Sequence, residues 1–278
     1  MTEAADAAPP GGTEHGWGRL ESALRDRRNR GGKCFVPYLT GGLGDDWLET
    51  ICAVAAAGAD AIEIGVPFSD PVMDGTVIQQ ANDRALSEGA TPQSILAEVR
   101  GASADIGVPT AVMTYANIAH HMGYERFASS LAEAGISGCI LPDLPLEEVG
   151  EWAACADAAG VETVLLAAPT APDERLPRLC ARSRGFVYSV GLMGITGVRE
   201  ALAASATRTA ARIKAVTDMP VLVGVGVGTP AQAAEVCRVA DGAVVGSAIV
   251  TRMLEGAGPD GVAGLVAEFR AALDAAHS

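Results

Sequence analysis

Short apolar runs rich in Val, Ile and Leu alternate along the chain with Ala-rich stretches whose apolar positions recur at helical spacing. Strands of a parallel sheet are buried on both faces and read as continuous apolar runs, whereas crossover helices bury one stripe. The rhythm therefore predicts βα units. Strands are expected at 34–39, 59–64, 109–114, 138–142, 163–166, 185–190, 221–225 and 242–245. Helices are expected at 45–57, 92–103, 124–134, 146–159, 170–182, 201–217, 230–239 and 261–275. The segment 70–79 reads as a loop feeding a helix, and an additional amphipathic stretch at 18–28 precedes the first strand.

Eight strands with following helices fit a single α/β domain, a (β/α)8 TIM barrel with an extra N-terminal helix, over residues 17–278. Residues 1–16, rich in Ala, Pro and Gly, read as a disordered leader. The rival is an open doubly wound sheet, whose first turn typically carries G-x-G-x-x-G. Here the first strand runs into Thr40-Gly41-Gly42-Leu43-Gly44-Asp45-Asp46, which does not match.

Composition narrows the function. The 278 residues are 49% hydrophobic, enough for a large core, and this excludes whole-chain disorder. Thirty-four acidic against 20 basic residues give a net charge of −14, which repels nucleic-acid backbones and anionic lipid. Six widely spaced cysteines without a C-x-x-C pair suggest thiols in a reducing compartment, and no zinc site is implied. The N-terminus has neither a basic nor an apolar signal-peptide region, and no run of about 18 apolar residues is present to span a bilayer. The expectation is a soluble cytoplasmic protein that binds neither nucleic acid nor membrane.

In such a barrel, chemistry sits at the C-terminal ends of the strands. Glu63 lies within the second strand between Ile62 and Ile64, so period-2 alternation turns it to the opposite face, into the barrel. A carboxylate buried there is costly and marks a candidate site, unless a structural ion pair with a barrel-lining base holds it. Asp74 follows in the loop, either as a second carboxylate at the same mouth or as the N-cap of the next helix. Glycine-bearing segments at 191–197, 224–230 and 246–250 follow the last three strands. Glycine lets main-chain N–H groups approach an anion closely, although it also serves ordinary turns and caps. His120 and His121 read as loop residues, His15 and His277 as tail residues, and the three tryptophans as packing.

Several motifs then resemble the tryptophan synthase alpha subunit family from about residue 16 to 275. They include Phe35-Val36-Pro37-Tyr38, the long run from Glu63 to Pro71, Asp74-Gly75 and Met113-Thr114-Tyr115-Ala116-Asn117. Pro142-Asp143-Leu144-Pro145, Gly194-Ile195-Thr196-Gly197 and the run from Val245 to Val250 complete the likeness. The resemblance implies a carbon–carbon lyase that cleaves indole-3-glycerol phosphate to indole and glyceraldehyde 3-phosphate by a retro-aldol step, without metal or organic cofactor. Glu63 would match the general acid/base and Asp74 the carboxylate holding the indole N–H. Tyr188 would stand near the substrate, and the loop around Thr196 would close over it. Tyr38, Met113, Ile140 and Leu166 would form the apolar slot, each also placed as ordinary core. Gly197, Gly224, Gly226, Gly246 and Ser247 would match the phosphate-binding positions. The implied partner is a beta subunit, in an alpha2beta2 complex, that receives the indole.

Three positions depart from the family's usual pattern. Thr76 stands where proline is common after Asp-Gly, Gly191 where serine is common, and the first βα turn lacks Gly-Asp-Pro. They keep open a stand-alone lyase releasing free indole. A non-catalytic paralogue regulating a beta-type partner is disfavoured by the two carboxylates, and a generic phosphosugar isomerase by the spacing of Glu63, Asp70 and Asp74.

Overall fold

The computed structural model describes residues 16–190, 199–224 and 226–276. The leader up to residue 15, Thr196 and Gly197 lie outside them. Eight parallel strands close into a barrel in sequence order. They are β1 (Cys34–Thr40), β2 (Ile62–Gly65), β3 (Thr110–Met113), β4 (Gly138–Ile140), β5 (Glu162–Ala167), β6 (Val187–Ser189), β7 (Val221–Val223) and β8 (Gly242–Val245). The helices of the first half are α1 (Arg19–Asn29), α2 (Trp47–Ala56), α3 (Thr76–Ser87), α4 (Pro92–Ile106), α5 (Ala116–Met122) and α6 (Tyr124–Glu133). Those of the second half are α7 (Gly150–Ala159), α8 (Arg175–Arg182), α9 (Arg199–Lys214), α10 (Pro230–Val236), α11 (Ser247–Leu254) and α12 (Gly258–Ala275). Among the described residues, no helix is long and apolar enough to cross a membrane.

All eight predicted strands are present, and so is the extra N-terminal helix. The alternation holds as expected. Ile62, Ile64, Val112, Leu165, Val187, Val221 and Val245 face the helical ring. Val36, Ala61, Ala111, Ile140, Val164, Leu222 and Val244 fill the barrel's interior. Tyr38 pairs in register with Glu63, which sets both side chains in one inward layer near the strand ends.

The opposite end is plugged by α1. Leu20 and Leu24 join the interior cluster, and Gly138 and Gly185 at the strand starts leave room for them. A Cβ at either glycine would stand 2.8 or 2.9 Å from Leu20 Cδ2. The α1 N-terminus is held by Glu162, whose carboxyl oxygens accept from the N–H groups of Leu20 at 2.7 Å and Glu21 at 2.9 Å. Ion pairs ring this floor, among them Arg25–Asp218 at 2.8 Å and Arg270–Asp60 at 3.2 Å.

Helices α5 and α11 were not among the expected elements, and they change two assignments. His120 and His121 lie on α5 rather than in a loop, both exposed to solvent. The segment after β8 is the first turn of α11.

Candidate active site

A cavity of about 710 Å3 opens at the C-terminal ends of the strands. Tyr38, Glu63, Asp74, Met113, Leu166, Tyr188, Gly224, Gly226, Gly246 and Ser247 all lie on its wall. Ile140 does not. It is fully buried in the interior layer beneath, because β4 ends there and Pro142 takes the wall position.

Glu63 is 1% exposed, and neither carboxyl oxygen has a hydrogen-bond partner. The lysines are engaged elsewhere, Lys33 on the carbonyl of Ala240 and Lys214 on Asp241, so the structural ion pair with a lysine is not formed. Burial, with the nearby charge of Asp74, pushes the Glu63 pKa up to about 8. Among the described residues, no hydrogen bond compensates this burial.

Asp74 is not a helix cap. Gly75 takes the N-cap position of α3 without any side-chain bond, and Asp74 turns to the cavity instead. Its Oδ2 accepts from Asn82 Nδ2 at 3.4 Å. Burial raises its pKa to about 6, against the opposing effect of hydrogen bonds from Tyr115 and Asn82. The Tyr115 hydroxyl also accepts from the Met73 N–H at 2.9 Å, and its ring stacks on Phe68 with centroids 4.9 Å apart. Asn82 and Tyr115 thus fix the carboxylate's position. The sequence reading missed both as site residues. An amide on the buried stripe formed by Ile78, Ala81 and Ala85 was the available signal for Asn82.

Two glycines are explained by tyrosines. A Cβ on Gly224 would lie 2.2 Å from the Tyr188 hydroxyl, and one on Gly65 would lie 1.9 Å from the Tyr38 hydroxyl. Burial raises the pKa of both phenols, so they stay protonated at neutral pH. Gly226 has φ of 85°, a left-handed conformation that favours glycine at this cavity edge. Gly246 is the N-cap residue of α11, so the first N–H groups of that helix, beginning at Ser247, have no intrahelical partner. Ser247 and Ala248 line the cavity, which places the positive end of the helix dipole on its wall. One opening thus combines an unpartnered carboxyl group, a braced second carboxylate, apolar walls and main-chain donors suited to an anion.

Residues 24–272 match the family described as Tryptophan synthase alpha chain. The tryptophan synthase alpha chain of Thermobifida fusca is 45% identical over 261 residues, which cover 92% of this chain and 96% of the relative. That of Streptomyces coelicolor is 45% identical over 248 residues, covering 88% and 91%. The solved structure of Mycobacterium tuberculosis tryptophan synthase aligns with a TM-score of 0.85 at 38% identity, covering 92% of this chain and 98% of that one. The alpha subunit from Legionella pneumophila aligns at 0.82 and 30% identity, covering 93% and 99%. With the barrel and its two inward carboxylates already in view, the chain belongs to the tryptophan synthase alpha chain family.

Proposed function

We propose that this chain cleaves indole-3-glycerol phosphate to indole and glyceraldehyde 3-phosphate, as the alpha subunit of a tryptophan synthase. The observation that carries the reading is Glu63, buried and unpartnered, on the same cavity wall as Asp74. At pH 7 a carboxyl with a pKa of about 8 holds its proton, and one at about 6 has released it. Environment has thus separated an acid from a charge stabiliser.

Glu63 protonates indole C3, and Asp74 accepts the ring N–H and stabilises the indolenine-like cation that forms. The Glu63 carboxylate then removes the proton from the hydroxyl on the adjacent glycerol carbon. The carbonyl of the aldehyde forms, the carbon–carbon bond breaks, and its electron pair restores the aromatic indole. Glu63 ends with its proton regained, so no net acid is consumed. Tyr38, Met113 and Leu166 offer walls for the ring and Tyr188 stands near the substrate, while Thr196, which the resemblance sets in a covering loop, lies outside the described residues. Main-chain donors at Gly226, Gly246 and Ser247 take the phosphate, with Gly224 beside them on the wall, its own N–H bonded to the Ser189 carbonyl at 3.4 Å. Gly197, assigned by the family resemblance, lies outside the described residues. The partner is a tryptophan synthase beta subunit, in an alpha2beta2 assembly.

Indole release from indole-3-glycerol phosphate by the purified chain, with and without a beta chain, tests this. Release that rises when the beta chain is added is the expected result. Full release by the chain alone, unaltered by a beta chain, would assign a stand-alone lyase. No release in either condition would overturn the proposal.

A further inference from the structure

The cavity wall holds one more charged pair, Arg252 in the last turn of α11 and Glu255 at its C-cap. Among the described residues that line the cavity, the charged ones are Glu63, Asp74, Glu255 and Arg252, three acids and one base. Arg252 sits five residues after Ser247, about 7.5 Å further along the helix axis at the usual rise. Its side chain is 51% exposed, and its ion pair with Glu255, 58% exposed, spans 3.8 Å. A pair so long and so solvated holds the guanidinium only weakly, which leaves it free to turn towards a third charge.

That availability matters because the whole chain carries −14. A phosphorylated substrate approaches a repelling surface and then meets the half-buried, ionised Asp74 on the cavity wall. One cation on the same cavity wall as the α11 N-terminus offsets this where the anion must dock. We propose that Arg252 is a positioning residue that draws the phosphate end of the substrate to the N-terminus of α11, and that Glu255 opposes it. The inference rests on the substrate class proposed above and deepens it. Arg252 touches none of the reacting atoms, so its effect belongs to capture and not to bond breaking. Its place in the last turn of α11 also suits the negative end of the helix dipole. A helix-end role alone would alter thermal stability without altering substrate kinetics.

Steady-state cleavage by the full chain with its beta chain present, at low and high salt, tests the proposal. At low ionic strength Arg252→Gln should lower kcat/KM about fivefold through KM, with kcat retained, and Glu255→Gln should raise it about twofold. Both differences should shrink to within about twofold of native in 0.5 M salt, where the Debye length is only a few ångströms. Arg238→Gln makes the same charge change at a side chain 75% exposed, paired with Glu235 and off the cavity wall, and should leave kcat/KM unchanged. Native kinetics in Arg252→Gln, or an equal loss in Arg238→Gln, would overturn the role of Arg252 while the cleavage reading stands. A native chain without turnover would overturn the cleavage reading, and the capture role with it.

Discussion

Glu63 is the residue on which the chemistry turns, and its environment dictates a pH profile. As the acid it must be protonated, so activity falls as pH rises through about 8. Asp74 must be ionised, so activity falls as pH drops through about 6. A bell in kcat/KM between those limits is expected from initial rates across pH 5–9. Glu63→Gln should lower kcat by about 10²–10⁴-fold, the usual worth of a general acid, with substrate affinity nearly intact. A retained rate would assign the proton donor elsewhere. Glu63 was legible in the sequence because strand period alone decides its face. The bracing of Asp74 was not, because Asn82 lies on α3 and Tyr115 donates from the N-cap of α5. Neither contact follows from spacing along one segment.

At the scale of elements, the strands were legible and three helices were not individually bounded. Buried parallel strands announce themselves as apolar runs, and all eight expected runs overlap strands. The helix α5 spans 7 residues, too short for its period to stand out. The first turn of α11 lies behind a glycine cap with no side-chain bond, so no capping signal marks where the helix starts. The helix α3 likewise starts from a glycine with no side-chain cap. How α1 docks was also hidden, because Glu162 lies 142 residues from the Leu20 N–H that it accepts. This docking is proton-linked. Burial, and secondarily Glu21, raises the Glu162 pKa to about 7, against the hydrogen bonds from Glu21 and Leu20 and the charge of Arg184. The native state therefore keeps a proton that the unfolded chain releases above about 4.5, its ordinary value. Stability from this group is full below that pH and is lost as pH rises towards 7. Urea midpoints of the native chain and Glu162→Gln, compared from pH 5 to 7.5, should move in favour of the variant as pH rises, by on the order of 2 kcal/mol. Parallel curves would show that Glu162 does not titrate in this range.

Over the whole molecule, the barrel separates a costly end from a stabilising one. At the mouth, an unpartnered carboxyl and a glycine-lined cavity are retained at the expense of stability. At the floor, α1 and the strand starts are held by ion pairs that join distant parts of the chain. Arg270 reaches Asp60 across 210 residues, and Arg25 reaches Asp218 across 193. The net charge was legible from composition, but these pairings were not, since only closure of the barrel brings such residues together. The separation predicts that floor substitutions change stability and spare catalysis. Asp60 is the sharpest case, because its Oδ2 accepts from both the Phe35 N–H at 2.8 Å and Arg270 Nη1 at 3.2 Å. Asp60→Asn keeps the shape and removes the charge that both donors face. It should lower the unfolding free energy by roughly 1–3 kcal/mol, the range for hydrogen bonds to charged groups. At 25 °C kcat/KM should stay within about twofold of native, because Asp60 precedes β2 at the end of the barrel opposite the cavity. Urea denaturation and initial rates on one preparation decide it. Lost turnover at unchanged stability would mean that the floor sets the geometry of the mouth.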